Sequence, residues 1–156
     1  IRNLSLFSNT RVQITGSEIS RRLDEVKSTL NREVLGDVPA VIVLGGSDDA
    51  KAFLLRNDAV SIGRIDPASL AAYRPGEDIV LSESYTAVTR VSRPHGRIVR
   101  DGESWYLEDC GSTGGTQLNN KRLEKNVRNL LHDGDLIELS KGVSGVRFLV
   151  ILPKDH

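Results

Sequence analysis

Three separated stretches of this chain carry side chains able to grip an anion. Ser61-Ile62-Gly63-Arg64 closes a strand-like run, and Val91-Ser92-Arg93-Pro94-His95-Gly96 follows about thirty residues later. Leu107-Glu108-Asp109-Cys110-Gly111-Ser112-Thr113-Gly114-Gly115-Thr116 is the third, and Leu131-His132-Asp133-Gly134-Asp135-Leu136-Ile137 is a weaker fourth. Arg64 offers a planar fork of N–H donors, and Ser92 and Thr113 offer hydroxyls. That donor set answers a phosphate monoester, which brings about −1.5 to −2 charges and three strong acceptor oxygens at neutral pH. From Arg90 to Arg100 the chain holds Arg90, Arg93, Arg97 and Arg100 and no acid. A local cluster of this kind suits a small anionic peptide, with Arg97 and Arg100 read as a solvated face.

Other chemistries are incomplete. His95 near Ser92 suggests a base and a nucleophile, but no motif supplies the orienting carboxylate and oxyanion hole that serine catalysis needs. Three histidines and the single Cys110 do not make a zinc site, and one cysteine excludes an intramolecular disulfide. Gly45-Gly46-Ser47 follows an apolar run but lacks the lysine and helix of a nucleotide loop, so it reads as a hairpin turn. Trp105 and Tyr106 read as core and face positions of one strand. The expectation is a protein that is not an enzyme and needs no cofactor or metal.

Bulk composition agrees. In 156 residues, 21 Lys and Arg balance 21 Asp and Glu, so no global field draws the chain to nucleic acid or an anionic membrane. The apolar run Phe148 to Leu152 is strand-sized, far short of a bilayer span. A lone cysteine fits a reducing compartment, the cytoplasm or, in a eukaryote, the nucleus. Absence of methionine and a start at Ile1 suggest a piece of a longer protein.

Two regions must position these groups. Residues 1–37 form a flank whose Thr15 and Glu18 make a capping-box pair before an amphipathic helix over about residues 17–35. Its stripe of Ile19, Leu23, Val26 and Leu30 is narrow, so it must lie on the adjoining domain or on a partner helix. The second arrangement would make the chain a homodimer. From Val38 to Pro153 the texture is short β-runs between turn signals. Runs are expected at 38–44, 52–55, 59–63, 78–81, 87–91, 96–100, 105–108, 116–118, 135–139 and 146–152, which implies an antiparallel sandwich or barrel. The connection from Ile65 to Glu77 is long and reads as a surface insertion.

In this order and spacing the stretches resemble the forkhead-associated (FHA) domain, which shows Gly-Arg, Ser-x-x-His, Ser-x-Asn-Gly-Thr and a late Gly-Asp. The resemblance covers Val38 to Pro153 and implies a mainly β fold, a sandwich of about eleven strands that binds a phosphothreonine peptide with loops at one end. On that resemblance Arg64 is the main phosphate ligand, Ser92 and Thr113 add hydroxyls, and Arg93 approaches the phosphate. Arg90 reads a side chain a few residues beyond it. Gly63, His95, Gly115 and Thr116 support the loops, His95 by hydrogen bonds without touching ligand. The implied partner is a phosphothreonine-containing protein, a kinase substrate, bound in signal transduction. One departure stands out: Gly114 takes the place of the family's asparagine, which hydrogen-bonds the peptide backbone. That loss implies weaker binding, and Gly114→Asn is expected to tighten it. The alternative reading is a phosphate-independent interaction or oligomerisation scaffold.

Overall fold

The computed structural model describes residues 38–67 and 78–153. The expected N-terminal helix, and any dimer built on it, lies outside the described residues, as does most of the 65–77 connection.

Eleven strands are described: β1 (Ala40–Leu44), β2 (Ala52–Leu54), β3 (Ala59–Arg64), β4 (Ile79–Leu81), β5 (Gly96–Asp101), β6 (Ser104–Asp109), β7 (Thr116–Leu118), β8 (Lys121–Arg122), β9 (Asn129–Leu130), β10 (Leu136–Leu139) and β11 (Val146–Ile151). They form a six-stranded sheet in the order β2-β1-β11-β10-β7-β8 and a five-stranded sheet in the order β4-β3-β5-β6-β9. Alternation along the strands builds the core between them. Val41 and Val43 of β1, Ile62 of β3, Ile98 of β5, Leu107 of β6, Ile137 and Leu139 of β10, and Phe148 and Val150 of β11 are all fully buried in one cluster. The intervening Ala40, Ile42, Leu149 and Ile151 are buried in a second cluster on the opposite face, so the two central strands are apolar on both sides.

The β1–β2 hairpin turns at Gly45 and Gly46 as the sequence indicates, with Asp49 Oδ1 accepting the Gly45 amide at 2.7 Å. Three expectations need correction. The sandwich is not wholly antiparallel, because β3 and β4 pair in parallel, Ile62 opposite Ile79 and Arg64 opposite Leu81. The run 87–91 is not a strand: turns closed by Val88 N–H on Tyr85 O and Arg93 N–H on Arg90 O bracket a single bridge between Arg90 and Arg64. Two short strands, β8 and β9, also go unseen in the sequence. The first belongs to a hairpin whose two-residue loop, Asn119 and Asn120, takes φ of 51° and 70°, the conformation in which asparagine is among the best tolerated residues.

A candidate anion-binding rim

The end of β3 fixes the first part of the site. Gly63 lets the chain that follows approach closely, since a Cβ there would come within 2.5 Å of Val91 Cα. Arg64 then exchanges backbone hydrogen bonds with the neighbouring loop, its N–H donating to Thr89 O and its carbonyl accepting from Val91 N–H. Ser92 and Arg93 follow at once. Arg64 Nε donates to Val88 O at 3.1 Å, which holds the guanidinium along this loop.

His95 joins that loop to the third stretch. Its Nδ1 accepts the Thr89 amide at 3.0 Å and Nε2 lies 2.8 Å from Gly115 O. Since an amide can only donate, Nδ1 is the acceptor and Nε2 carries the proton donated to Gly115 O. The ring is fully buried, and burial pushes the imidazole below its ordinary value, keeping it neutral. Both nitrogens are taken by backbone groups, while Ser92 Oγ donates to Asp66 Oδ2 at 2.6 Å and not to His95.

Asp109 organises the third stretch. Its Oδ1 accepts from Ser112 Oγ at 2.6 Å and from Thr116 Oγ1 at 2.7 Å, and its Oδ2 accepts the amides of Gly111 and Ser112. Ser112 Oγ in turn accepts the Gly115 amide at 3.0 Å. Burial pushes the Asp109 carboxyl up, but the hydrogen bonds from Ser112, Thr116 and Gly111 together outweigh it and hold the group below its ordinary value. Gly115, at φ 81°, sits in the left-handed region that favours glycine. Thr113 and Gly114 are left exposed at the tip, two residues before the buried Thr116.

These bonds tie Arg64, Ser92, His95 and the 112–116 loop into one end of the sandwich, and Arg90 lies beside Arg64 through their bridge. Arg93 is exposed next to Ser92. Arg97 and Arg100 lie on β5 away from that loop. The first faces Glu108 at 3.8 Å and the second stacks over Trp105, 5.9 Å from the ring centre.

Four side chains that sequence reading did not single out complete the rim. Glu83 Oε1 lies 2.7 Å from Arg64 Nη1 and 3.2 Å from Arg90 Nη1. Asp66 holds the Ser92 hydroxyl, and Asp109 holds the loop. Ser140, in a left-handed conformation at φ 61°, donates its hydroxyl to Ala87 O at 3.0 Å and fills the space beside Gly114. A Cβ on Gly114 would overlap Ser140 Oγ and lie 2.8 Å from Ser140 Cβ. Only Asp109 left a trace in the sequence, as an Asp with Ser three residues on, the pattern of a side chain that bonds its own following turn.

A family model described as FHA domain matches residues 60–140. The chain belongs to the FHA family. FhaB of Mycolicibacterium smegmatis, an FHA domain-containing protein, is 32% identical over 116 residues, covering 73% of this chain and 66% of its own length. The chain spans 66% or less of the curated relatives it matches. Among solved structures, the FhaA FHA domain complexed with the intracellular domain of Rv3910 is 27% identical with a TM-score of 0.52, covering 72% of this chain and 98% of its own. The N-terminal FHA domain of Rad53p from Saccharomyces cerevisiae, in complex with a phosphothreonine peptide, has a TM-score of 0.57 at 23% identity, covering 74% and 93%. That last likeness establishes the shared fold. An FHA domain is a binding module rather than a catalytic fold, and no helix among the described residues is long and apolar enough to cross a membrane.

Proposed function

We propose that this FHA domain binds phosphothreonine-containing segments of partner proteins and recruits them in signalling, without catalysing a reaction. Arg64 is the main phosphate ligand in this reading, Ser92 and Thr113 add hydroxyls, and Arg93 reaches the same anion from the exposed loop. Arg90 reads a side chain beyond the phosphothreonine, and Gly63, His95, Gly115 and Thr116 keep the loops in place. The observation that carries the reading is the hydrogen-bonded path from the Arg64 backbone through Thr89 and His95 to Gly115, which links the strand end bearing the guanidinium to both hydroxyl-bearing loops. The acids found at Arg64 and Ser92 support it from another direction, because each makes a bond that a phosphate oxygen could replace.

Calorimetry against paired phosphothreonine and unmodified peptides tests this. Binding is expected only for the phosphorylated set, and Arg64→Ala is expected to weaken it about 100-fold, the loss of one or two charge-assisted hydrogen bonds. Equal binding of the two sets would overturn the proposal in favour of a phosphate-independent contact.

A further inference from the structure

Glu83 sits between the two arginines on a loop that is itself firmly held. Before it, Ser82 N–H donates to Asp48 Oδ2 at 2.8 Å, and after it Tyr85, 2% exposed, donates its hydroxyl to Gly45 O and accepts the Asp48 amide, both at 2.8 Å. Ser84 Oγ meets Ser47 Oγ across the same gap. The carboxylate is thus delivered to the arginines by a braced loop, while its own side chain remains 53% exposed.

We propose that Glu83 sets which phosphopeptides the rim accepts, by neutralising Arg90 so that the peptide side chain facing Arg90 is selected to be neutral or basic rather than acidic. This rests on the phosphothreonine reading above.

Two guanidiniums and one carboxylate give the Arg64–Glu83–Arg90 cluster a net charge of +1. A phosphoryl dianion arriving at Arg64 competes for the Nη1 proton that Glu83 Oε1 accepts, and the like charges of the two anions repel at that distance. Glu83 therefore yields Arg64 and keeps Arg90. Arg90 stays within reach because its Nη1 also donates to Ile65 O at 2.6 Å, with Glu83 Oε2 at 3.4 Å. An Asp or Glu of the peptide would then be a third anion beside phosphate and Glu83, competing for a guanidinium already in use. A neutral side chain meets no such conflict, and a Lys or Arg finds an exposed carboxylate. Hydrogen bonds from Arg64 and then Arg90 hold the Glu83 carboxyl below the usual range, so its charge is present throughout neutral pH.

The test is fluorescence anisotropy of the full chain and of Glu83→Gln with phosphothreonine peptides carrying Asp, Ala or Lys at each position after the phosphothreonine, each beside its unphosphorylated form, at low and high salt. The native chain is expected to rank Lys and Ala above Asp at the position facing Arg90. Glu83→Gln is expected to invert that order and to bind every phosphopeptide about three- to tenfold tighter at low salt, the gap closing as salt screens it. A native preference for Asp, or an unchanged ranking in Glu83→Gln, would overturn the assignment. Urea midpoints of the two proteins are the check that both are folded. If neither protein distinguishes phosphorylated from plain peptide, the phosphothreonine reading falls and this one goes with it; a phosphate-dependent but unaltered ranking removes this one alone.

Discussion

On one side of the rim Arg64, Arg90, Glu83, Ser92 and Asp66 meet through charges and hydroxyls that water partly reaches, the side chains of Glu83, Arg90 and Arg64 being 53%, 37% and 16% exposed. On the other, His95, Asp109, Ser112 and Thr116 meet through a hydrogen-bonded network whose centre is buried. The same donor types behave differently in the two places. Exposed ion pairs contribute little to stability and exchange partners readily, whereas a buried polar group left without its partner costs about 1–3 kcal/mol or more. The open side can give its bonds up to a ligand. The closed side cannot release any without loosening the fold. A gripping half and a bracing half are thus distinguished by solvent access, not by residue chemistry.

Cutting the brace at its centre should break that comparison most severely. Asp109 is 4% exposed and receives both hydroxyls and two amides. Asp109→Ala strands those donors and is expected to cost about 2–4 kcal/mol. Urea unfolding would register it as a lower midpoint at unchanged slope. Because this carboxyl is held below its ordinary value in the folded chain, its contribution is present at neutral pH and disappears as pH falls below about 4. A loss of stability no larger than about 0.5 kcal/mol, typical of a surface change, would mean that the network is not a brace.

How much of this was visible beforehand follows the same division. The gripping residues Arg64 and Ser92 stand in ordered motifs at strand ends, so type and spacing pointed to them. The sandwich was legible too, because alternating runs such as Ser104–Asp109 and Leu136–Leu139 bury a side chain every second residue, and Ala40–Leu44 and Val146–Ile151 read as apolar runs of strand length. What bore no local mark was pairing between distant segments. Glu83 in Ser82-Glu83-Ser84 looks like any loop acid until the Tyr85 anchor brings it to Arg64, 19 residues upstream. The parallel β3–β4 pair has no signature within either strand. The 87–91 run misled because Val88 and Val91, three residues apart, are buried by turns, and a short stretch of β-branched residues looks the same in either setting.

His95 offers a sharper probe of the brace, since its effect depends on pH. The folded ring stays neutral while the unfolded ring takes up a proton near its ordinary value of about 6.5. Below that value the unfolded chain binds more protons, so stability falls as pH drops, and above it the contribution is fully present. His95→Asn removes the titration. It is expected to cost about 1–3 kcal/mol at pH 7.5 through the altered bonds to Thr89 and Gly115, and to flatten the decline below about pH 6.5. An equal decline in both proteins would place the titrating group elsewhere.

The smallest effect separates grip from brace at their meeting point. From sequence, Gly114→Asn restores a family hydrogen bond and tightens binding. The structure reverses that expectation for the single change, because the new Cβ must displace Ser140 and break its hydroxyl bond to Ala87 O. No such obstacle lies in the backbone, as Gly114 is not among the glycines of positive φ. Gly114→Asn alone is therefore expected to lose about 1–2 kcal/mol of stability with no gain in affinity. Pairing it with Ser140→Gly removes the overlapping hydroxyl and relieves the left-handed residue at 140, where glycine is at ease. The double change should recover most of that stability and bind phosphopeptide up to about tenfold tighter, the value of one added hydrogen bond. Measured as a cycle, the two substitutions should be strongly non-additive in urea midpoint. Additive losses would show that Ser140 is not what keeps position 114 a glycine.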